Sequence, residues 1–106
     1  MEIKFTFRGM ESSPTLEQYV AEKNKKIEHI LTKERSPHRL EVILESHPSH
    51  AQFVLELRLH TADYHEFVKK EGTDLYGLID LGFDVLMQEI RKKKEFDIDK
   101  RKKGLE

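Results

Sequence analysis

The residues best suited to chemistry are cations. Residues 91–103, "RKKKEFDIDKRKK", hold eight Lys/Arg against three Asp/Glu, a local net charge of +5 in a chain whose total is −1. Residues 1–90 hold eleven against sixteen, a net of −5, and Glu106 supplies the last unit. Ammonium and guanidinium groups in such density make charge-assisted hydrogen bonds to phosphate, and the asymmetry points to a local basic contact surface rather than a protein coated in positive charge. The same side chains also favour the carboxyl end of a helix through its dipole, so charge alone leaves both readings open. A second set, Lys23, Lys25 and Lys26, stands near the middle of the first helical segment. At about 100° per residue, Lys23 falls near the border of that helix's apolar stripe and Lys26 to one side of it. Long aliphatic stems would let both lie over apolar neighbours with their charges outward. If the two helices lie side by side, Lys23 and Lys26 would border one groove with Arg91, Lys92, Lys93 and Lys94. Such a groove reads phosphate geometry more than base identity.

Other chemistries find little support. The chain has no cysteine, which removes disulfides and thiolate metal sites and fits a reducing compartment. His47 and His50 lie three apart in "HPSH", but no third or fourth ligand stands at zinc spacing. Gly72, Gly77 and Gly82 do not match a phosphate-binding loop. Ser12 and Ser13 lack a base partner and suit helix capping, and Asp97 and Asp99 lie in a charged tail where solvation accounts for them. The expectation is a non-enzymatic protein without metal or cofactor.

These side chains need elements to position them. At 106 residues the chain suits one domain, read as residues 1–95 with a charged tail at 96–106. "EIKFTFR" alternates, with Ile3, Phe5 and Phe7 on one strand face. From Thr15 to about Lys33 the period becomes helical, with Leu16, Val20, Ile27 and Leu31 on one side, flanked by Tyr19 and Ile30. Ser12 or Ser13 can cap this helix and Pro14 suits its first turn. "RLEVILE", "FVLELRLH" and "YHEFVKKE" read as three consecutive strands. Asp74 then opens a last helix with the core stripe Leu75, Ile79, Phe83, Leu86 and Ile90. The predicted fold is an α+β, βαβββα sandwich: two helices packed on one face of a four-stranded, mostly antiparallel sheet. No apolar run reaches the roughly 18 residues that span a membrane. "MEIKFTFRG" lacks the order of a signal peptide, so a cytoplasmic location is expected.

The order of elements and two local motifs resemble the ribosome hibernation promoting factors, also called ribosome-associated inhibitor A or sigma-54 modulation proteins. "DLYGLIDLGFDVLMQEIRKKK" is similar to the family's Asp-x-Tyr-x-x-Ile-Asp pattern and basic helix, with Asp74, Tyr76, Ile79, Asp80 and Leu86 at matching positions. "SPTLEQYVAEKNKKIE" is similar to its first helix. The resemblance, to a short form without the C-terminal dimerisation domain, implies a stress or stationary-phase factor that inhibits translation. It would bind the 16S RNA of the small ribosomal subunit in the channel of messenger and transfer RNA, with no DNA or membrane partner. It further implies that Lys23, Lys26, Arg91, Lys92, Lys93 and Lys94 contact RNA phosphates. Val85 and Gln88 depart from the pattern, since family members commonly carry Lys and Arg there, and Leu81 replaces a residue that is often polar. Leu78, Leu81 and Val85 thus make an apolar strip beside the core stripe. It either packs under the first helix or a neighbouring loop, or marks a protein contact. The latter gives the alternative reading, a protein-interaction module on the same fold, as a monomer or weak homodimer.

Overall fold

The alternation of Ile3, Phe5 and Phe7 becomes strand β1, Glu2–Arg8, in a computed structural model that describes residues 1–33, 37–47, 49, 51–62 and 65–104. Side chains are described outside residue 33 and residues 95–104. His50, Tyr64, residues 34–36 after the expected first helix, and the side chains of Asp97, Asp99 and the cations at 100–103 lie outside that description. Helix α1 follows, Pro14–Ile30, and tightens into a 3₁₀ turn at Leu31–Lys33. Ser13 is its N-cap: the hydroxyl accepts the Leu16 amide at 3.2 Å, while Pro14 takes the first turn, where a missing N–H costs nothing. Between β1 and α1, Gly9 adopts φ +66°, and a Cβ there would lie 2.6 Å from the Ser46 carbonyl oxygen. Only glycine fits that approach.

Strands β2 (Arg39–His47), β3 (Gln52–His60) and β4 (His65–Gly72) complete a sheet of order β1-β2-β3-β4. The α1 crossover makes β1 parallel to β2, with Phe5 opposite Val42. The two remaining pairs are antiparallel hairpin neighbours, with Val42 opposite Leu57 and Leu57 opposite Val68. Helix α2, Leu75–Gly104, starts after Asp74, whose carbonyl accepts the Leu78 amide at 2.9 Å. The Asp74 carboxylate folds over the first turn, where a Cβ at Gly77 would meet its Oδ2 at 2.8 Å. That position suits a carboxylate beside exposed amides. Residues 96–104, read from sequence as a charged tail, carry helical backbone continuous with α2. Lys, Arg and Glu sustain a helix well, and no Gly or Pro interrupts α2 between Gly82 and Gly104.

Both helices bury their stripes on one sheet face, as expected. Leu16, Val20, Ile27 and Leu31 meet Leu40, Val42, Leu44, Leu55, Leu57 and Leu59, and α2 adds Leu78, Ile79, Phe83, Leu86 and Ile90. At Gly82 the α2 backbone comes close enough to β3 that a Cβ would lie 2.6 Å from Leu55 Cδ2. The α1 stripe also holds a buried polar residue, Asn24, whose amide donates to Met1 Sδ at 3.2 Å and Glu28 Oε1 at 3.4 Å. The opposite sheet face carries a charged lattice in which Arg58 reaches Glu56 at 3.0 Å and Glu41 at 3.9 Å. Among the described residues no helix is long and apolar enough to cross a membrane.

Candidate nucleic-acid interface

Helical spacing explains how the cations are placed. Tyr19, Lys23, Lys26 and Ile30 are separated by four, three and four residues, so they line one side of α1. Tyr76, Asp80, Met87, Arg91 and Lys94 line one side of α2 in the same way. The contacts pair low numbers with low and high with high: Tyr19 with Tyr76 and Asp80, Lys94 with Ile30. The helices therefore run side by side in the same direction, with both carboxyl ends at one end of the sheet.

At their amino-terminal half the stripes lock together. The Tyr19 hydroxyl donates to Asp80 Oδ1 at 2.6 Å, and Lys23 Nζ reaches the same oxygen at 3.0 Å while lying 5.6 Å from the Tyr19 ring centroid. Tyr76 packs edge-on against Tyr19, centroids 4.9 Å apart. The Tyr19 hydrogen bond, joined by Lys23, holds the Asp80 carboxyl below its ordinary range despite the cost of partial burial. The same carboxylate raises both Tyr19 and Lys23 above their ordinary values by hydrogen bonding. Asp74, Tyr76 and Asp80 of the quoted motif thus open the helix and clamp α2 to α1. Lys23, expected among the phosphate contacts, is paired with Asp80 across the seam between the helices.

The carboxyl-terminal half is different. Lys25, Lys26 and His29 from α1 and Arg91 from α2 rim a groove floored by Ile30 and Met87, about 320 Å³ in volume. Lys25 pairs with Glu22 at 2.9 Å. Among the described residues Lys26 and Arg91 make no ion pair, and both face this groove. Lys94 Nζ donates to the Ile30 carbonyl at 2.7 Å, placing its charge at the negative end of α1.

The expected strip of six cations is therefore divided. Arg91, Lys92, Lys93 and Lys94 are consecutive, and the three steps of about 100° between them carry side chains most of the way round a helix. Arg91 and Lys94 turn toward α1, while Lys92 points outward with Glu89 at 3.6 Å. Lys93 turns the other way, to Glu66 on β4 at 2.6 Å, over a carboxylate whose side chain is only 10% exposed. Sequence reasoning placed Lys26 and Arg91 together and named Lys25 in the same basic set, but it gave Ile30 no part in the groove and missed His29 and Met87, although the Tyr19–Lys23–Lys26–Ile30 spacing carried part of that signal. The apolar strip is also divided, and it does not lie under α1. Leu78 is buried against Gly72 of β4, Val85 is half-buried, and Leu81 is 48% exposed. Among the described residues no group of three or more His, Cys, Asp or Glu is placed to hold a metal ion.

Comparison with known proteins gives the arrangement a lineage. A structure of a ribosomal subunit interface protein from Coxiella burnetii superposes with a TM-score of 0.76 at 19% identity, covering 90% of this chain and 99% of that one. The N-terminal domain of Thermus thermophilus Protein Y gives 0.74 at 22% identity, covering 87% and 98%. At those identities the likeness establishes the fold. No curated protein sequence matches the chain. The profile of one family, described as sigma 54 modulation protein / S30EA ribosomal protein, matches residues 3–96, from the first strand through the Lys26–Arg91 groove, and the chain belongs to that family.

Proposed function

We propose that this protein is a ribosome-associated translation inhibitor that binds small-subunit RNA in the channel of messenger and transfer RNA, holding idle ribosomes inactive. The family is one of non-enzymatic ribosome-associated proteins. The observation that carries the reading is the convergence of Lys26 and Arg91, from two helices, on one groove with no carboxylate paired to either among the described residues. Each cation can neutralise one phosphate, and Lys25 and His29 stand on the same rim. Lys23 and Lys93 hold the scaffold, one fastening α1 to α2 and the other α2 to β4. The resemblance of fold to a ribosomal subunit interface protein supports the same partner.

The test is binding to purified small subunits at a series of salt concentrations, with and without messenger and transfer RNA. Affinity should fall with a log-log slope of roughly 0.7 to 0.9 per phosphate neutralised, and prior loading of the channel should exclude the protein. Binding that ignores salt, or that proceeds equally on loaded subunits, overturns the assignment.

A further inference from the structure

Among the described residues strand β4 has one hydrogen-bonded neighbour, β3, so its other edge offers a row of backbone donors and acceptors. Three apolar features collect around that edge without a role in the groove. Phe67 is 57% exposed on the outer sheet face, with the Arg58 guanidinium 5.8 Å from its ring centroid. Leu81 and the half-buried Val85 lie on the side of α2 away from α1, beside Leu78, which packs on Gly72 of β4. Lys69 and Lys70 would ordinarily guard such an edge by repelling another strand.

Whether they repel a second copy depends on register. Two antiparallel copies of β4 related by a two-fold axis place residues of the same face opposite one another. Centred on Phe67, the pairing sets His65 against Lys69 and Glu66 against Val68. Centred on Lys69, it sets two lysines face to face. Centred on Val68, every pair is complementary. Glu66, which Lys93 of its own chain also holds, meets Lys70 on the helix face, Phe67 meets Lys69 and His65 meets Glu71 on the outer face, and Val68 meets itself. Each heterologous pair occurs twice. Opposite charges and a cation on an aromatic ring directly across a ladder are stabilising.

The helices agree with this register. Each helix covers about two strands, and two strand spacings of about 4.8 Å come close to the 8–10 Å between packed helix axes. Two sheets joined at β4 would therefore bring the two α2 helices side by side, antiparallel, on the same face. Their facing sides would carry Leu78, Leu81 and Val85, covering the leucine that the monomer leaves in water. We propose that β4 is a self-association edge, at which a second copy of this chain adds its own β4 in the register centred on Val68 to make one eight-stranded sheet. The Lys26–Arg91 groove lies on the other side of α2 and stays open in the pair.

The natural absence of cysteine makes a register-specific test available. Phe67→Cys and Lys69→Cys chains, each exposed and outside the core, are oxidised separately and then as a mixture. In the proposed register residues 67 and 69 of different copies face each other at disulfide distance, whereas 67 with 67 and 69 with 69 lie a diagonal apart, about 7–8 Å, beyond easy bridging. The mixture should form the mixed disulfide well above either variant alone. On the cysteine-free chain, light scattering through a dilution series should show a monomer–dimer equilibrium. Lys70→Glu, which reverses two attractive pairs, should shift its midpoint by roughly tenfold or more, and Leu81→Lys should shift it in the same direction. A monomer at every concentration overturns the proposal, as does a dimer whose mixed disulfide is no more abundant than the homodisulfides.

Discussion

Asp80→Asn separates the clamp from the groove, because it alters the carboxylate that holds Tyr19 and Lys23 without touching Lys26 or Arg91. In the native chain one oxygen accepts from Tyr19 at 2.6 Å and faces Lys23 at 3.0 Å. An asparagine carbonyl can still accept from the tyrosine, but it loses the charge that shortens that bond and holds the ammonium. The Asp80 side chain is 44% exposed, so solvent screens much of the loss. A cost of about 0.5–1 kcal/mol follows, which for a domain of this size lowers the thermal midpoint by about 2–4 °C. The gap has a pH signature. Because the folded state lowers the Asp80 pKa, its contribution is complete above the ordinary carboxylate value near pH 4 and lost as pH falls through the folded value. Native and variant midpoints should therefore converge in acid. Binding should change in the opposite sense to stability. Released from Asp80, Lys23 becomes an additional cation beside the groove, so affinity for RNA rises and the salt slope steepens by up to about 0.7–0.9. Circular dichroism melts at neutral and acid pH, paired with salt titrations on small subunits, read both effects. A variant that melts like the native protein at neutral pH, or that stays folded yet binds more weakly, would show that Asp80 does not act by withholding Lys23.

Three further substitutions probe how the helices are held. Gly82→Ala gains helix propensity of about 1 kcal/mol, but its Cβ would press on Leu55 and Leu57, both fully buried. Overpacking of about 1–3 kcal/mol should outweigh the gain and lower the urea midpoint. Gly9→Ala forces a side chain into left-handed φ against the Ser46 carbonyl, and should cost about 2 kcal/mol by chemical denaturation. Lys94→Ala removes the tie between α2 and the Ile30 carbonyl at the end of α1, so that terminus should exchange amide hydrogens faster while exchange in β2 and β3 stays unchanged.

The fold was readable because its period switches are clean. The step from Ile3–Phe5–Phe7 to Leu16–Val20–Ile27, then three alternating runs, admits few arrangements other than a sheet with helices on one face. The parallel β1–β2 pair then follows from the length of the α1 crossover. The interface was half readable. Composition identifies the cations but not their directions, and "RKKK" looks like one patch until each residue is turned by 100°. The ion pairs of Lys23 and Lys93 could not be foreseen, because their partners Asp80 and Glu66 lie 57 and 27 residues away in sequence. No local pattern reveals such partners. Asn24 escaped notice because it occupies a core position in a stripe otherwise apolar, and its amide reaches the chain's first residue as well as Glu28. Leu78, Leu81 and Val85 form one strip by spacing, yet β4 buries the first and leaves the third half-covered and the second in water. That distinction depends on where α2 meets the sheet edge.

The central claim is that RNA is gripped by the groove between α1 and α2, at Lys26 and Arg91, and not by the basic sequence as such. Co-sedimentation with small subunits tests it most directly when Lys26→Glu with Arg91→Glu in one chain is compared with Lys93→Gln in another, a change that removes the charge and keeps a hydrogen-bond donor for Glu66. The double variant should stay at the top of the gradient, while the Lys93 variant, whose ammonium is turned toward Glu66 on β4, should sediment nearly as the native protein does. Loss of binding by the Lys93 variant with the double variant still bound would contradict the account.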